Sequence, residues 1–119
     1  MPSVLVVDDD ADILASLTDL LSDEGMNTLV ASDGAAALAV LRQETPSVII
    51  LDVMMPRMDG IAFRLCQLSD PRLARIPVLL MSAAHNHADV AMGLKVWGHI
   101  QKPLDVPLLL RMLASACAS

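Results

Sequence analysis

The sequence contains almost no aromatic residues, with one tryptophan, one phenylalanine and no tyrosine among 119 residues. Proteins that bind single-stranded nucleic acids stack the bases on aromatic side chains, so a base-stacking surface is excluded. Basic residues are also few, eight against fourteen acidic residues, which gives a net charge of −6. Because phosphate contacts need clustered cations, we expect no direct nucleic-acid binding by this segment.

Long apolar runs and a secretory signal are missing as well. Although 55% of the residues are hydrophobic, no apolar run approaches the roughly 20 residues of a membrane-spanning helix. The first residues contain neither a basic segment nor a small-residue cleavage site. The two cysteines, Cys66 and Cys117, match no metal-binding spacing. These features predict a cytoplasmic protein without a membrane segment.

Short apolar runs alternate with segments of helical periodicity along the whole chain. The runs cover residues 4–7, 26–31, 48–51, 78–81 and 99–101 and are predicted to be strands. Helices are expected to begin after each of them, near residues 11, 34, 60, 87 and 106. Strict alternation of strand and helix predicts an α/β fold. We expect a doubly wound five-stranded parallel sheet with helices on both faces, forming one domain over residues 1–119.

Two of the predicted helices carry more specific expectations. The third helix is expected to place Ile61, Leu65 and Leu68 on one face. It is followed by residues 69–72, which are predicted to form a polar connection. Trp97 is expected to lie on the apolar stripe of the fourth helix, with its indole packed against the sheet beside the fifth strand.

Polar residues with specific chemistry stand at the ends of four predicted strands. Because the carboxyl ends of parallel strands lie at one edge of the sheet, these residues are expected to converge. Clustered carboxylates without histidine or cysteine suit Mg²⁺, and a lysine with a hydroxyl group suits phosphoryl oxygens. We predict a phosphoryl-transfer site with Mg²⁺ as cofactor and Asp52 as the nucleophile. The residues are Asp8, Asp9 and Asp10 after the first strand, Asp52 after the third, Ser82 after the fourth and Lys102 after the fifth.

Four short motifs give the chain a resemblance to a known family. They are Val-Val-Asp-Asp-Asp at residues 6–10, Leu-Asp-Val-Met-Met-Pro-Arg-Met-Asp-Gly at 51–60, Met-Ser-Ala at 81–83 and Lys-Pro at 102–103. With them the chain resembles the receiver domain of two-component response regulators over essentially its whole length. The resemblance implies a flavodoxin-like strand order 2-1-3-4-5, with the site where the strand order reverses.

The resemblance also implies a function and a role for each site residue. Asp52 is expected to accept a phosphoryl group from a histidine kinase or a histidine phosphotransfer protein. Asp9, Asp52 and the backbone carbonyl of Met54 are expected to bind Mg²⁺ directly, and Asp8 is expected to act through water. Lys102 is expected to pair with Asp52 or with its phosphate.

The expected conformational switch involves Ser82 and His99. In the family, a hydroxyl group closes over a phosphoryl oxygen, and this movement is coupled to an aromatic residue three positions before the lysine. Ser82 holds the first position and His99 the second. Seven residues before the lysine the family usually has a small residue, often a glycine followed by an alanine, whereas this chain has Lys95 and Val96. These departures concern the output region and leave the phosphorylation chemistry unaffected.

Two other functions account for part of the pattern. A Mg²⁺-dependent phosphatase of the haloacid dehalogenase type needs a second aspartate two residues after the nucleophile, where this chain has Met54. A phosphorylation-independent interaction module with the same fold is the alternative to the phosphoacceptor switch, and the unusual fourth helix keeps it open. We expect a signalling domain that is not a metabolic enzyme. Its output is expected to pass through a downstream protein or through an effector domain of a longer chain.

Overall fold

The computed structural model of the protein describes residues 2–52, 60–82, 96–102 and 104–118. The predictions for Met54, for residues 83–95 and thus for most of the predicted fourth helix lie outside these residues. Among the described residues, none of the helices combines the length and the apolar character that crossing a bilayer requires. The strands are β1 (Ser3–Val7), β2 (Asn27–Ala31), β3 (Val48–Asp52), β4 (Val78–Ser82) and β5 (Gly98–Gln101). The helices are α1 (Ala11–Asp23), α2 (Gly34–Gln43), α3 (Gly60–Leu68), α4 (Pro71–Ala74) and α5 (Val106–Ala118).

The strands form one parallel sheet in the order β2-β1-β3-β4-β5. This order and the helices on both faces confirm the predicted flavodoxin-like fold class. Strand β1 lies inside the sheet, with Val7 aligned with Ala31 on one side and with Leu51 on the other. Because all strands run in the same direction, their carboxyl ends meet at one edge, and the residues that follow them are brought together there.

The two faces of the sheet are covered by different helices. Side chains alternate between the faces along a strand, so β3 contributes Ile49 and Leu51 to one core cluster and Val48 and Ile50 to the other. All of β3 is buried, as its uninterrupted apolar run predicts. The first cluster includes Ala37 and Leu41 of α2 and Phe63 of α3, and the second includes Leu17 and Leu21 of α1 and Leu109 and Leu113 of α5.

Aspartate side chains cap the amino-terminal ends of four helices. Each carboxylate accepts a hydrogen bond from a backbone N–H of the first helical turn, which otherwise has no partner in the helix. At the other end of α1, Gly25 adopts a φ of +79°, which a residue with a side chain rarely reaches. The capping residues are Asp10 before α1, Asp33 before α2, Asp70 before α4 and Asp105 before α5.

The prediction of which face of α3 is buried is wrong. Leu65 and Leu68 are exposed by 59% and 39%, whereas Phe63 and the polar residues Arg64 and Gln67 are buried. The cause is the polar contacts that Gln67 makes inside the protein, because they turn this face of the helix inward and carry the two leucines outward. Spacing of apolar residues alone therefore predicts the wrong orientation here.

Gln67 joins α3 to the short helix α4 through hydrogen bonds. Its Nε2 donates to the carbonyl oxygens of Leu73 and Ile76, at 2.8 Å and 3.1 Å. Its Oε1 accepts a hydrogen bond of 2.8 Å from Nη1 of Arg64. Residues 69–72, predicted as a polar connection, instead include the start of α4, because Asp70 caps a helical turn there. Gln67 supplies the donors that carbonyl groups at the end of such a turn need.

Trp97 does not lie on a helix, contrary to the prediction. It occupies a bend directly before β5, and its backbone N–H donates a 3.0 Å hydrogen bond to the carbonyl of Val78. Because Gly98 is already aligned with Leu79 in the sheet, the chain has left any preceding helix at this point. Trp97 as a residue is 40% exposed and so is only partly packed.

Candidate functional site

Asp52 is the last residue of β3. It lies at the carboxyl edge of the sheet and is buried, with an exposure of 4%. Burying a carboxylate is costly unless a cation or hydrogen-bond donors stabilise it. The ammonium group of Lys102 provides the cation, with Nζ 3.4 Å from Oδ2 of Asp52. Lys102 follows β5, and its own backbone N–H donates to the carbonyl of Ser82 at 2.9 Å. This hydrogen bond between the ends of β4 and β5 thus holds Lys102 opposite Asp52.

Asp8 is the most enclosed carboxylate of the site. It follows β1, is fully buried, and its backbone N–H donates to the carbonyl of Ala31 at 3.1 Å. Its Oδ1 accepts the backbone N–H of Asp10 at 2.9 Å, and its Oδ2 lies 3.1 Å from Nζ of Lys102. Lys102 therefore bridges Asp8 and Asp52. The resemblance implied a pairing of Lys102 with Asp52 only, and no local signal in the sequence indicates Asp8, which is 94 residues away along the chain.

Asp9 completes a cluster of three carboxylates. Oxygens of Asp8, Asp9 and Asp52 lie within 4.8 Å of one another, and Asp9 is exposed while the other two are buried. Three negative charges at this spacing repel one another, and the single ammonium of Lys102 offsets only one of them. Hard oxygen ligands of this kind are the ligands that Mg²⁺ binds in proteins. The donor set therefore fits the magnesium ion expected from the sequence.

Asp10, predicted to converge with these carboxylates, has a different place. Its side chain accepts the backbone N–H groups of Asp12 and Ile13, at 2.9 Å and 3.4 Å, and so caps α1. This capping fixes the start of α1 directly after Asp8 and Asp9. Asp10 thus supports the acidic site by positioning its neighbours and is absent from the carboxylate cluster.

The electrostatics of Lys102 follow from its two partners. Burial by itself lowers the pKa of the ammonium group, but the hydrogen bond to Asp8 and the charges of Asp52 and Asp8 outweigh it. The pKa of Lys102 is consequently raised above its ordinary value. Lys102 is a fixed positive charge at neutral pH, placed to interact with an anionic group that arrives at Asp52.

The two predicted switch residues lie on the neighbouring strands. Ser82 is the last residue of β4, is buried with 2% exposure, and is aligned with Gln101 of β5. His99 is aligned with Leu80, two residues further back along the sheet, and is exposed. The structure therefore brings Ser82 to the edge that carries Asp52 and Lys102, whereas His99 lies away from that edge on β5. The backbone of Met54 lies outside the described residues.

A family model described as the response regulator receiver domain matches residues 4–114. Among curated proteins, the chain is 36% identical over 102 residues to the DNA-binding response regulator MtrA of Mycolicibacterium paratuberculosis, covering 84% of this chain and 44% of MtrA. It is 30% identical to protein PilH of Pseudomonas aeruginosa, over 99% of each chain. The chain spans less than half the length of the first curated relatives it matches.

Solved structures give the same result. The chemotaxis response regulator CheY4 of Vibrio cholerae superimposes with a TM-score of 0.89 at 29% identity, over 98% of both chains. The sheet order and the acidic edge described above thus occur in a chain that is similar to these proteins in both sequence and structure.

Proposed function

Because the chain belongs to the response regulator receiver domain family, we propose that it is a phosphoacceptor switch of a two-component phosphorelay. The family consists of signalling domains and is not a family of metabolic enzymes. In the proposed reaction, Asp52 accepts a phosphoryl group from a phosphohistidine of a partner protein. The partner is a histidine kinase or a histidine phosphotransfer protein, and residues 1–119 act as one receiver domain in the cytoplasm.

The observation that carries this proposal is the bridge from Lys102 to Asp8 and Asp52. A carboxylate oxygen of Asp52 attacks the phosphorus atom while the bond between phosphorus and the imidazole nitrogen breaks. The nitrogen keeps the electron pair and takes up a proton, and Asp52 becomes an acyl phosphate. Lys102, 3.4 Å from Oδ2 of Asp52, is placed to pair with the phosphoryl oxygens as they arrive.

The acidic cluster supports the proposed dependence on Mg²⁺. Asp9 and Asp52, with the backbone carbonyl of Met54, would hold the ion directly, and Asp8 would contribute through water. The oxygens of the three aspartates lie close enough for this arrangement, within 4.8 Å of one another. A bound Mg²⁺ supplies positive charge for the oxygens of the transferred group.

We place the switch at Ser82 and His99. The hydroxyl group of Ser82 donates a hydrogen bond to a phosphoryl oxygen on Asp52, which draws the end of β4 toward the site. His99 lies on β5, the strand that pairs with β4, and follows this movement. The signal then passes to a downstream protein or to an effector domain. MtrA, named as DNA-binding, extends well beyond the matched region, whereas PilH matches over 99% of both chains. The chain is thus similar both to a relative of about its own length and to one about twice as long.

The experiment is phosphorylation by acetyl phosphate with Mg²⁺, followed by intact-protein mass spectrometry. We expect one added phosphoryl group, which hydroxylamine removes because it cleaves acyl phosphates. Asp52→Asn should abolish the labelling, and EDTA should prevent it. Asp70→Asn, which changes the helix cap before α4 and removes no carboxylate from the acidic site, serves as the matched control and should be labelled like the wild type. Full labelling of Asp52→Asn, or labelling that survives EDTA, would contradict the proposal. A wild-type protein that takes no label would favour the phosphorylation-independent module.

A further inference from the structure

A second polar centre lies at the opposite end of the sheet from the acidic site. Here the segments that enter β4 and β5 border a cavity of about 330 Å³ together with α3 and α4. Pro77 directly precedes β4 and Trp97 directly precedes β5, which places the cavity at the amino ends of these strands. We call it the arginine cavity. Its lining includes Arg64, Arg75, Ile76, Pro77, Val96 and Trp97.

The charge of the arginine cavity differs from that of the molecule as a whole. Two arginines line it, and none of its lining residues, all of which belong to the described part of the chain, is acidic. The whole chain, by contrast, has a net charge of −6. A planar guanidinium group has five N–H donors in a geometry that matches a carboxylate. The cavity is therefore suited to an anionic group although the chain as a whole is negatively charged.

Arg64 is held in place before any ligand arrives. It is buried with 5% exposure, and its Nη1 donates to Oε1 of Gln67 at 2.8 Å. Gln67 is itself fixed by its hydrogen bonds to the carbonyl oxygens of Leu73 and Ile76. Arg75, in contrast, is exposed. One guanidinium is thus preorganised inside the protein, and the second stands at its surface, where a ligand enters.

The remaining walls are apolar. Ile76 and Val78 are buried, Pro77 and Val96 are half-buried, and Trp97 beside them is 40% exposed. Small-molecule sites typically combine such apolar walls with a few convergent polar groups in volumes of about 300–1,000 Å³. The walls favour a flat, apolar body, and the arginines favour a negatively charged head.

We propose that the arginine cavity binds a small organic carboxylate with a flat apolar body, of the size and chemistry of an aromatic acid. The carboxylate pairs with Arg64 and Arg75, and the ring lies against Trp97 and Pro77. A guanidinium group has five N–H donors, so Arg64 is able to pair with a carboxylate while it keeps its hydrogen bond to Gln67. This inference does not depend on phosphorylation of Asp52.

Trp97 is the only tryptophan of the chain and reports binding directly. Benzoate is the probe, and benzamide, which has the same ring without the charge, is its matched control. We expect benzoate to change the Trp97 emission in a saturable manner and to shift the single indole N–H signal in the NMR spectrum. Benzamide should bind at least about tenfold more weakly, which corresponds to the loss of charge-assisted hydrogen bonds.

Two arginine variants test where the charge acts. Arg75→Gln removes the exposed guanidinium of the cavity and should weaken benzoate binding about tenfold. Arg72→Gln removes one charge from α4, three residues before Arg75 and outside the cavity lining, and it should bind like the wild type. Thermal melts show whether both variants fold. Benzoate that fails to saturate up to its solubility limit, benzamide that binds equally well, or Arg75→Gln that binds like the wild type would each overturn the proposal.

Discussion

The two ends of the sheet bury a positive charge in opposite ways. At the carboxyl edge, Lys102 stands between two carboxylates, and its pKa is raised although burial opposes this. At the amino ends of β4 and β5, Arg64 has the neutral amide of Gln67 as a hydrogen-bond partner, and burial lowers its pKa. At the acidic edge two carboxylates hold the cation, and at the arginine end the hydrogen bond to Gln67 helps to fix the guanidinium. We therefore expect the acidic end to be the more sensitive to cations, and the arginine end to be the more sensitive to loss of the Gln67 hydrogen bonds.

The largest expected effect is that of Gln67→Leu. The substitution leaves the carbonyl oxygens of Leu73 and Ile76 and the guanidinium of Arg64 without this buried partner. The free energy of unfolding should fall by about 3 kcal/mol, measured by urea denaturation. Gln101→Leu, at an exposed position of β5, is the control and should change the free energy by less than about 0.5 kcal/mol. Similar losses in both variants would contradict a structural role of the Gln67 hydrogen bonds.

Lys102→Met should have the next largest effect. It leaves Asp8 and Asp52 close together without their shared cation and should lower the free energy of unfolding by about 2 kcal/mol. Arg111→Met, which removes one charge from an exposed position of α5, is the control and should have little effect.

The difference in the free energy of unfolding between the wild type and Lys102→Met should depend on pH, because the pKa of Lys102 is raised. A raised pKa in the folded state means that the stabilisation is complete below the unfolded pKa, about 10.4, and is lost as the pH rises through the folded value. The gap between wild type and Lys102→Met should therefore narrow only in strongly alkaline solution. A difference that already narrows between neutral pH and the ordinary lysine pKa of about 10.4 would contradict the raised pKa of Lys102.

The response to Mg²⁺ should be smaller still and confined to the acidic end. At a Mg²⁺ concentration ten times its dissociation constant, mass action adds about 1.4 kcal/mol to the stability. The melting temperature should rise with Mg²⁺ and much less with NaCl of equal ionic strength. Asp9→Asn should remove most of this rise, whereas Asp12→Asn, in the first turn of α1, should retain it. Asp9→Asn that responds like the wild type would place the ion elsewhere.

The smallest expected effect is a difference in reactivity between the two cysteines, one in α3 and one in α5. Cys66 lies between Arg64 and Gln67 in the sequence but is exposed, because α3 turns that side outward. Cys117 is half-buried in α5, and burial raises the pKa of its thiol. Each cysteine is tested alone in a variant that lacks the other. In Cys117→Ser, the remaining thiol of Cys66 should react readily with a chromogenic disulfide reagent at pH about 8, because it is exposed. In Cys66→Ser, the remaining thiol of Cys117 should react several-fold more slowly at this pH, and its rate should approach that of Cys66 only at higher pH. Equal rates would show that α5 opens easily.

The acidic edge and the fold could be predicted from sequence for a physical reason. A buried parallel strand appears as an uninterrupted apolar run, and β3 shows it without exception. Once the alternation of strands and helices fixes a parallel sheet, the residues after each strand must meet, whatever their distance along the chain. Asp8, Asp52 and Lys102 were identified in this way. Their bridged arrangement was not, because the choice of Asp8 as the nearer partner of Lys102 depends on side-chain positions.

The arginine end could not be predicted because its contacts leave no periodic pattern. Gln67 bonds to two carbonyl oxygens beyond the end of its own helix, six and nine residues further along the chain. These bonds reverse the apparent apolar face of α3 and expose Leu65 and Leu68. Trp97 was misplaced for a related reason. As an apolar residue it continues the helical spacing of the predicted fourth helix, but its backbone N–H donates to the carbonyl of Val78 and so joins the sheet.

The interior position of β1 has a consequence for how the protein folds. Val4 is aligned with Thr28 on one side and Val48 on the other, 24 and 44 residues further along the chain. The entropy cost of closing a loop rises with its length, so the pairing with β2 should form before the pairing with β3. The contact between Asp8 and Lys102 closes a separation of 94 residues and requires β5 to be in place. The complete acidic site, with Lys102, therefore forms only after β5 has joined the sheet, whereas the carboxylates of the ion site meet as soon as β1 and β3 have paired.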